Sequence, residues 1–260
     1  MLLAIDVGNS NITLGLYDGE KPGPRWRLAT VHNRTADEYG LLLDDLLDHA
    51  GLDTDAVHAV VMASVVPPLT SVLEEAAARY LGQAPLVVDA GVKTGVRIRY
   101  DEPKQVGADR VVDAVAIKHL YGGPACCVDF GTATTFDAIS AEGDYLGGAI
   151  APGIGIAADA LFQRAAKLPR VDLVRPPALI GKTTVHSLQS GLLFGYVSLV
   201  EGMVERFKKE LGPSMKTIAT GGLAETVAKE TTCIDVVAPW LTLDGLRLIH
   251  EMNAGEAGER

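Results

Sequence analysis

The sequence predicts an α/β protein built from two related domains, and two observations carry that reading. A short turn occurs twice. AIDVGNSNITLGLYDG at Ala4 to Gly19 is echoed by CVDFGTATTFDAISAEG at Cys127 to Gly143, which brings Asp6 onto Asp129 and Gly8 onto Gly131 at one common offset. The elements around each copy also follow one order: three strands joined by turns, then helix, strand, helix, strand. Three opening strands with no helix between them argue against a (β/α)₈ barrel. Two domains are therefore expected, residues 1–115 and 116–260.

In the first domain, alternating and β-branched runs predict strands at Leu2 to Val7, Asn11 to Tyr17 and Arg25 to Thr30. Helical spacing predicts Ala36 to Ala50 and Leu69 to Leu81, with strands at Ala59 to Val66 and Pro85 to Val88. In the second, strands are expected at Ala125 to Val128, Thr134 to Ile139, Tyr145 to Ile150, Thr217 to Ala219 and Ile234 to Val237. Between the domains lie Val96 to Tyr100, the stretch DEPKQVGADR and an amphipathic run from Val111 to Tyr121. A long helix is predicted over Val185 to Leu211, with Leu188, Leu192, Val200, Met203, Val204 and Phe207 on its apolar face. Gly191 and Gly195, one turn apart on it, mark close packing either inside the protein or at a subunit interface. The tail AGEAGER reads as frayed.

Composition narrows the function. Of 260 residues 48% are hydrophobic and 22% charged, as in an ordinary soluble enzyme. A net charge of -10, 5% aromatic residues and the lack of a basic stripe oppose nucleic-acid binding. MLLAID has no basic leader and does not read as a signal peptide, and the longest uncharged stretch, Val185 to Val200, is too short to span a bilayer. Three cysteines, two of them adjacent, fit neither a disulfide framework nor a zinc site, so a reduced, cytoplasmic setting is expected.

Each repeated turn joins an Asp to a Gly tip. Glycine allows the backbone to approach a ligand, N–H groups near it suit phosphate oxygens, and the carboxylate suits a cation. Two such tips make a candidate nucleotide clamp, although a single Asp-x-Gly is otherwise just a turn. An acidic chain that binds nucleotide must recruit positive charge, so Mg²⁺ and a second cation are expected. Asp109 follows Gly107 near a helix start, where a carboxylate is favoured with or without chemistry. IGKTT at Ile180 to Thr184 matches only the end of a phosphate-binding P-loop, because Pro176 stands where the first glycine belongs. No G-x-G-x-x-G follows the first strand, no G-x-S-x-G occurs, and none of the six histidines begins H-E-x-x-H.

DVGNSN at Asp6 to Asn11, ASVVPP at Ala63 to Pro68, GADR at Gly107 to Arg110, DFGTATT at Asp129 to Thr135, GGAIAPG at Gly147 to Gly153 and TGG at Thr220 to Gly222 together resemble the type III pantothenate kinases. The likeness runs in order along nearly the whole chain. It implies two ribonuclease-H-like domains of the actin-like ATPase type, each a five-stranded mixed sheet with flanking helices, with nucleotide in the interdomain cleft. It implies ATP-dependent phosphorylation of pantothenate to 4'-phosphopantothenate, with Mg²⁺, a monovalent cation (K⁺ or NH₄⁺), a homodimeric state, and neither nucleic acid nor membrane as partner.

By the same resemblance Asp6, Val7, Gly8, Asn9, Ser10, Asn11, Ile12 and Thr13 correspond to the first phosphate loop, and Thr132 to an ATP contact from the second. Asp129 corresponds to the monovalent-cation ligand. Tyr100, Gly107, Ala108, Asp109, Arg110 and Thr184 correspond to substrate contacts, and Asp109 to the catalytic base. The first motif departs from the family in having Ser10 where Thr is usual, which keeps the hydroxyl. Two other readings stay open: a nucleotide-binding regulatory protein on the same fold, and a kinase for another small hydroxylated metabolite.

Overall fold

In the computed structural model residues 1–254 are described, so all of the expected frayed tail except Ala254 lies outside the described residues. The chain forms two compact units. The first comprises Met1–Val96, Tyr100–His119 and the chain from Leu241 onward; the second comprises Arg97–Arg99 and Leu120–Trp240.

The first unit has a five-stranded sheet in the order β3-β2-β1-β4-β5. Its strands are β1 (Leu2–Val7), β2 (Asn11–Asp18), β3 (Lys21–Ala29), β4 (Ala59–Ser64) and β5 (Leu86–Val87). Central β1 pairs antiparallel with β2 and parallel with β4. A strand covered on both faces needs apolar residues at successive positions, and LLAIDV supplies them, with Leu3, Ala4, Ile5 and Val7 all buried. Each fully buried Ile or Val of this kind contributes roughly 1.5–3 kcal/mol. Edge strand β3 begins at Lys21, earlier than the sequence suggests. Pro22 and Pro24 read as a turn, yet an edge strand tolerates proline because one side of it donates no ladder bond.

Two of the helices beside this sheet pack on each other. In α1 (Ala36–His49) Thr35 and Glu38 form a reciprocal capping box, and α2 (Pro67–Tyr80) starts on two prolines, which fit a first helical turn. The short gap between α1 and α2 depends on Gly40, since a Cβ there would run into the Tyr80 ring.

The second unit repeats the topology. Its strands are β6 (Ala125–Phe130), β7 (Ala133–Ile139), β8 (Tyr145–Pro152), β9 (Lys216–Gly221) and β10 (Val236–Val237). They lie in the order β10-β9-β6-β7-β8, so β6 takes the place of β1, with β7 antiparallel and β9 parallel beside it. The helices are α4 (Ile154–Arg164), the long α5 (Thr184–Leu211) and α6 (Ala224–Ala228). Of the apolar face expected on α5, Leu192, Val200 and Val204 are buried, and Met203 and Phe207 pack against the second core.

The division at 115/116 differs from the compact units in three places. It would cut through α3 (Ala108–Leu120), whose residues Val111 to Ile117 are all buried in one continuous helix. Arg97–Arg99 lies at the edge of the second sheet, where Arg99 N–H donates to the Tyr145 carbonyl at 2.8 Å. The closing helix α7 (Leu241–Ala254), which has no counterpart in the sequence reading, belongs to the first unit. It is held there by Tyr17, whose hydroxyl donates to Asp244 at 2.7 Å, and by Thr242, which donates to Asp113 of α3 at 2.8 Å. Burial and the Asp244 carboxylate push the Tyr17 phenol well above its ordinary value, so it remains a donor.

Gly245 sets the spacing of α7 on α3, because a Cβ there would strike the Val112 carbonyl. Gly245→Val is expected to destabilise the fold by about 2 kcal/mol through overpacking. Urea unfolding checks this, and a midpoint equal to that of the natural chain would show that the two helices have slack.

Candidate active site

The candidate first phosphate loop joins β1 to β2. Asp6 pairs with Thr13 across the hairpin and with Ala63 on β4, and the tip residues Asn9 and Ser10 are exposed. Gly8 spends its own N–H on the Asn11 carbonyl, 3.0 Å away, and its bare α-carbon permits that approach. The tip is tied down by Thr30, just past β3: its N–H donates to the Ser10 carbonyl at 3.0 Å and its hydroxyl to the Gly8 carbonyl at 2.6 Å. Thr30 is a residue the sequence reading missed as a functional position.

The Asp109 turn meets the same sheet edge. Asp109 stands in the first turn of α3, where the helix dipole favours a carboxylate, and its Oδ1 accepts from the Arg110 N–H at 2.8 Å. Gly107 leaves room for it, since a Cβ at Gly107 would lie 2.5 Å from that oxygen. The same Cβ would lie 3.6 Å from Val65, and the Val65 N–H donates to the Val7 carbonyl at 3.0 Å. Val65 thus links the Asp6 loop to the Asp109 turn, although about a hundred residues separate them in sequence.

The second loop, between β6 and β7, is built alike. Asp129 pairs with Thr135 and with Thr220, and Gly131 donates to the Ala133 carbonyl at 3.0 Å. Gly153, just past β8, donates to the Thr132 carbonyl at 3.1 Å and leaves no room there for a Cβ. Gly153 stands to Thr30 at the same offset that relates Asp129 to Asp6, so both loops are braced from corresponding positions. Around the Asp129 carboxylate the walls are peptide: a Cβ on Gly221, whose φ is 87°, would run into Oδ1, and one on Gly131 would lie 3.4 Å from Oδ2. A carboxylate walled by backbone suits a hard cation of low charge. Among the described residues no group of three or more His, Cys, Asp or Glu side chains could hold a metal.

The substrate-contact set is divided between the units. Tyr100, 38% exposed, and Gly107 to Arg110 belong to the first unit, and Thr184 to the second. Thr184 is the exposed first residue of α5, behind the cap Thr183. The IGKTT segment folds back on that helix: Ser190 donates to the Leu179 carbonyl and Ser187 to that of Gly181, at 2.5 and 3.3 Å. A cavity of about 470 Å³ between α4 and α5 contains none of the expected site residues.

The family model for type III pantothenate kinase matches residues 2–206. The chain belongs to that family. A type III pantothenate kinase of Moorella thermoacetica is 58% identical over 97% of this chain and 100% of its own length, and one of Geobacter sulfurreducens 54% identical over 97% and 99%. Among solved structures, the activator of the 2-hydroxyisocaproyl-CoA dehydratase from Clostridium difficile with bound ADPNP superposes with a TM-score of 0.57. It is 11% identical and covers 100% of this chain and 98% of that one, which is a likeness of fold. The family fold is thus two ribonuclease-H-like domains of the actin-like ATPase type, in agreement with the two identically ordered sheets.

Thr30→Val keeps the shape of the side chain and removes the hydroxyl from the Gly8 carbonyl. Loss of one such bond is worth about 1 kcal/mol, so affinity for a non-hydrolysable ATP analogue should fall roughly fivefold in calorimetry. Unchanged affinity would show that the brace is dispensable.

Proposed function

We propose that this chain transfers the γ-phosphoryl group of ATP to the primary hydroxyl of pantothenate, giving 4'-phosphopantothenate, the entry step of coenzyme A biosynthesis. The observation that carries the reading is the Val65 link, which sets a carboxylate at a helix start beside a glycine-tipped hairpin on one sheet edge. A phosphate loop and a residue able to orient a hydroxyl are the two parts that a small-molecule kinase requires.

Phosphoryl transfer through a loose transition state depends mostly on alignment and charge neutralisation. Asp109 accepts the hydroxyl proton and holds the nucleophile in line, and its bond to the Arg110 N–H fixes its direction. Arg110, Tyr100, Gly107, Ala108 and Thr184 contact pantothenate. Residues Asp6 to Thr13 and Thr132 hold ATP through backbone and hydroxyl groups. Mg²⁺, when bound with ATP, neutralises charge on the terminal phosphates, and a monovalent cation such as K⁺ does so at Asp129. The working form is a cytoplasmic homodimer with α5 at the interface. On that helix Gly191, Gly195 and Gly202 have nothing within 4 Å of where a Cβ would stand, which suits close approach by a second helix.

Release of ADP that requires both ATP and pantothenate is the direct test, and consumption of ATP indifferent to pantothenate would reject the substrate. Asp109→Asn should lower turnover by about 10² to 10⁴ with an unchanged circular dichroism spectrum. Near-normal turnover in that variant would remove Asp109 from the chemistry.

A further inference from the structure

The Asp129 carboxylate has a neighbour whose geometry is unusually constrained. In the antiparallel register of β6 and β7, Asp129 lies opposite Thr135 and Cys127 opposite Asp137. Residues opposed in this way share one face of the sheet with their β-carbons about 5 Å apart, so Asp129, Thr135 and Asp137 form a row. Toward β9 and the hairpin tip the carboxylate is walled by the peptides of Gly221 and Gly131. On the β7 side the row supplies a side-chain oxygen, that of Thr135.

Asp137 is 2% exposed and is held by two hydroxyls. Thr135 donates to its Oδ2 at 2.9 Å, and Tyr145, fully buried, donates to its Oδ1 at 2.9 Å. A threonine hydroxyl has one hydrogen and two lone pairs. With the hydrogen committed to Asp137, the Thr135 oxygen can offer its other neighbours only lone pairs. A hydroxyl free to turn would donate to Asp129 and compete with a cation for that carboxylate. A hydroxyl held by Asp137 cannot compete, and instead adds a ligand oxygen.

We propose that Thr135 supplies the second side-chain oxygen of the monovalent-cation site at Asp129, and that the buried Asp137–Tyr145 pair is the positioning device that turns its hydroxyl away from the carboxylate. One carboxylate with one neutral hydroxyl carries a single negative charge, which matches a monovalent ion held by oxygens. The proposal rests on the reading of Asp129 as the cation carboxylate.

The full chain is assayed for ADP release over a potassium titration, with tetramethylammonium holding ionic strength constant. In parallel the thermal unfolding midpoint is followed over the same titration with a non-hydrolysable ATP analogue bound. Thr135→Val should raise the half-saturating potassium at least tenfold in both readouts, more than it changes turnover at saturating potassium. Thr135→Ser should restore it to within threefold. Asp137→Ala, which keeps the Thr135 oxygen but removes the acceptor that holds its hydrogen, should shift the requirement in the same direction. A natural potassium requirement in Thr135→Val overturns the ligand, and one in Asp137→Ala overturns the positioning device. If the valine variant does not fold, Thr135→Ala gives the same comparison. Asp129→Asn separates the two levels: its keeping the natural potassium response would overturn the Asp129 reading itself, whereas its loss beside an unaltered Thr135→Val overturns this proposal alone.

Discussion

A hairpin tip can turn its N–H groups toward an anion only while its own carbonyl oxygens are held elsewhere, because unpaired backbone groups otherwise find each other or water. Both phosphate-loop candidates in this chain meet that condition in one way. The residue just past the third strand of each unit reaches back and donates to the tip, Thr30 to Ser10 and Gly8, Gly153 to Thr132. The strand order that puts the third strand beside the second, and the second beside the first, is what makes this reach possible. Beneath both loops lies a buried strand, β1 or β6, to which each tip is joined.

The same constraint accounts for an acidic protein handling a polyphosphate. With a net charge of -10 and no phosphate-binding lysine motif, the proposed site would meet phosphate with backbone dipoles and bound cations. Glycine then serves two purposes. At Gly8 it lets the turn close, and at Gly107 and Gly221 it leaves space for the carboxylates of Asp109 and Asp129. The two Asp-x-Gly turns share a backbone pattern, and within the first unit Val65 joins the first of them to the Asp109 segment.

Much of this was legible in the sequence. β1 runs over the residues expected of it, because LLAI is apolar throughout and leads into the Asp-x-Gly turn. The repeat foretold two sheets of one topology. Helix α7 was passed over although Leu241, Leu243, Leu246 and Ile249 form a buried apolar stripe on it; among them stand Asp244, Gly245 and Arg247. Each of them is committed to a partner: Tyr17 to Asp244, Val112 to Gly245, and Glu251 to the nearly buried Arg247. These distant contacts, which no local reading of the sequence supplies, assign α7 to the first unit. Thr30 escaped notice because its role exists only across the sheet, and its one sequence signal is the offset it shares with Gly153. Asp109 was found through the GADR motif. Its position beside the first phosphate loop could not be read locally, since it passes through Val65.

The proposal's central claim is that each braced hairpin tip contacts nucleotide and that the Asp109 turn contacts the acceptor. Amide hydrogen exchange on the intact chain, with a non-hydrolysable ATP analogue and Mg²⁺ and then with pantothenate added, tests it most directly. The account predicts slowed exchange in peptides covering Gly8 to Asn11 and Gly131 to Ala133 on adding nucleotide, and further slowing over Gly107 to Arg110 on adding pantothenate. Protection confined to one tip, or a pantothenate response that leaves Gly107 to Arg110 unchanged, would contradict it.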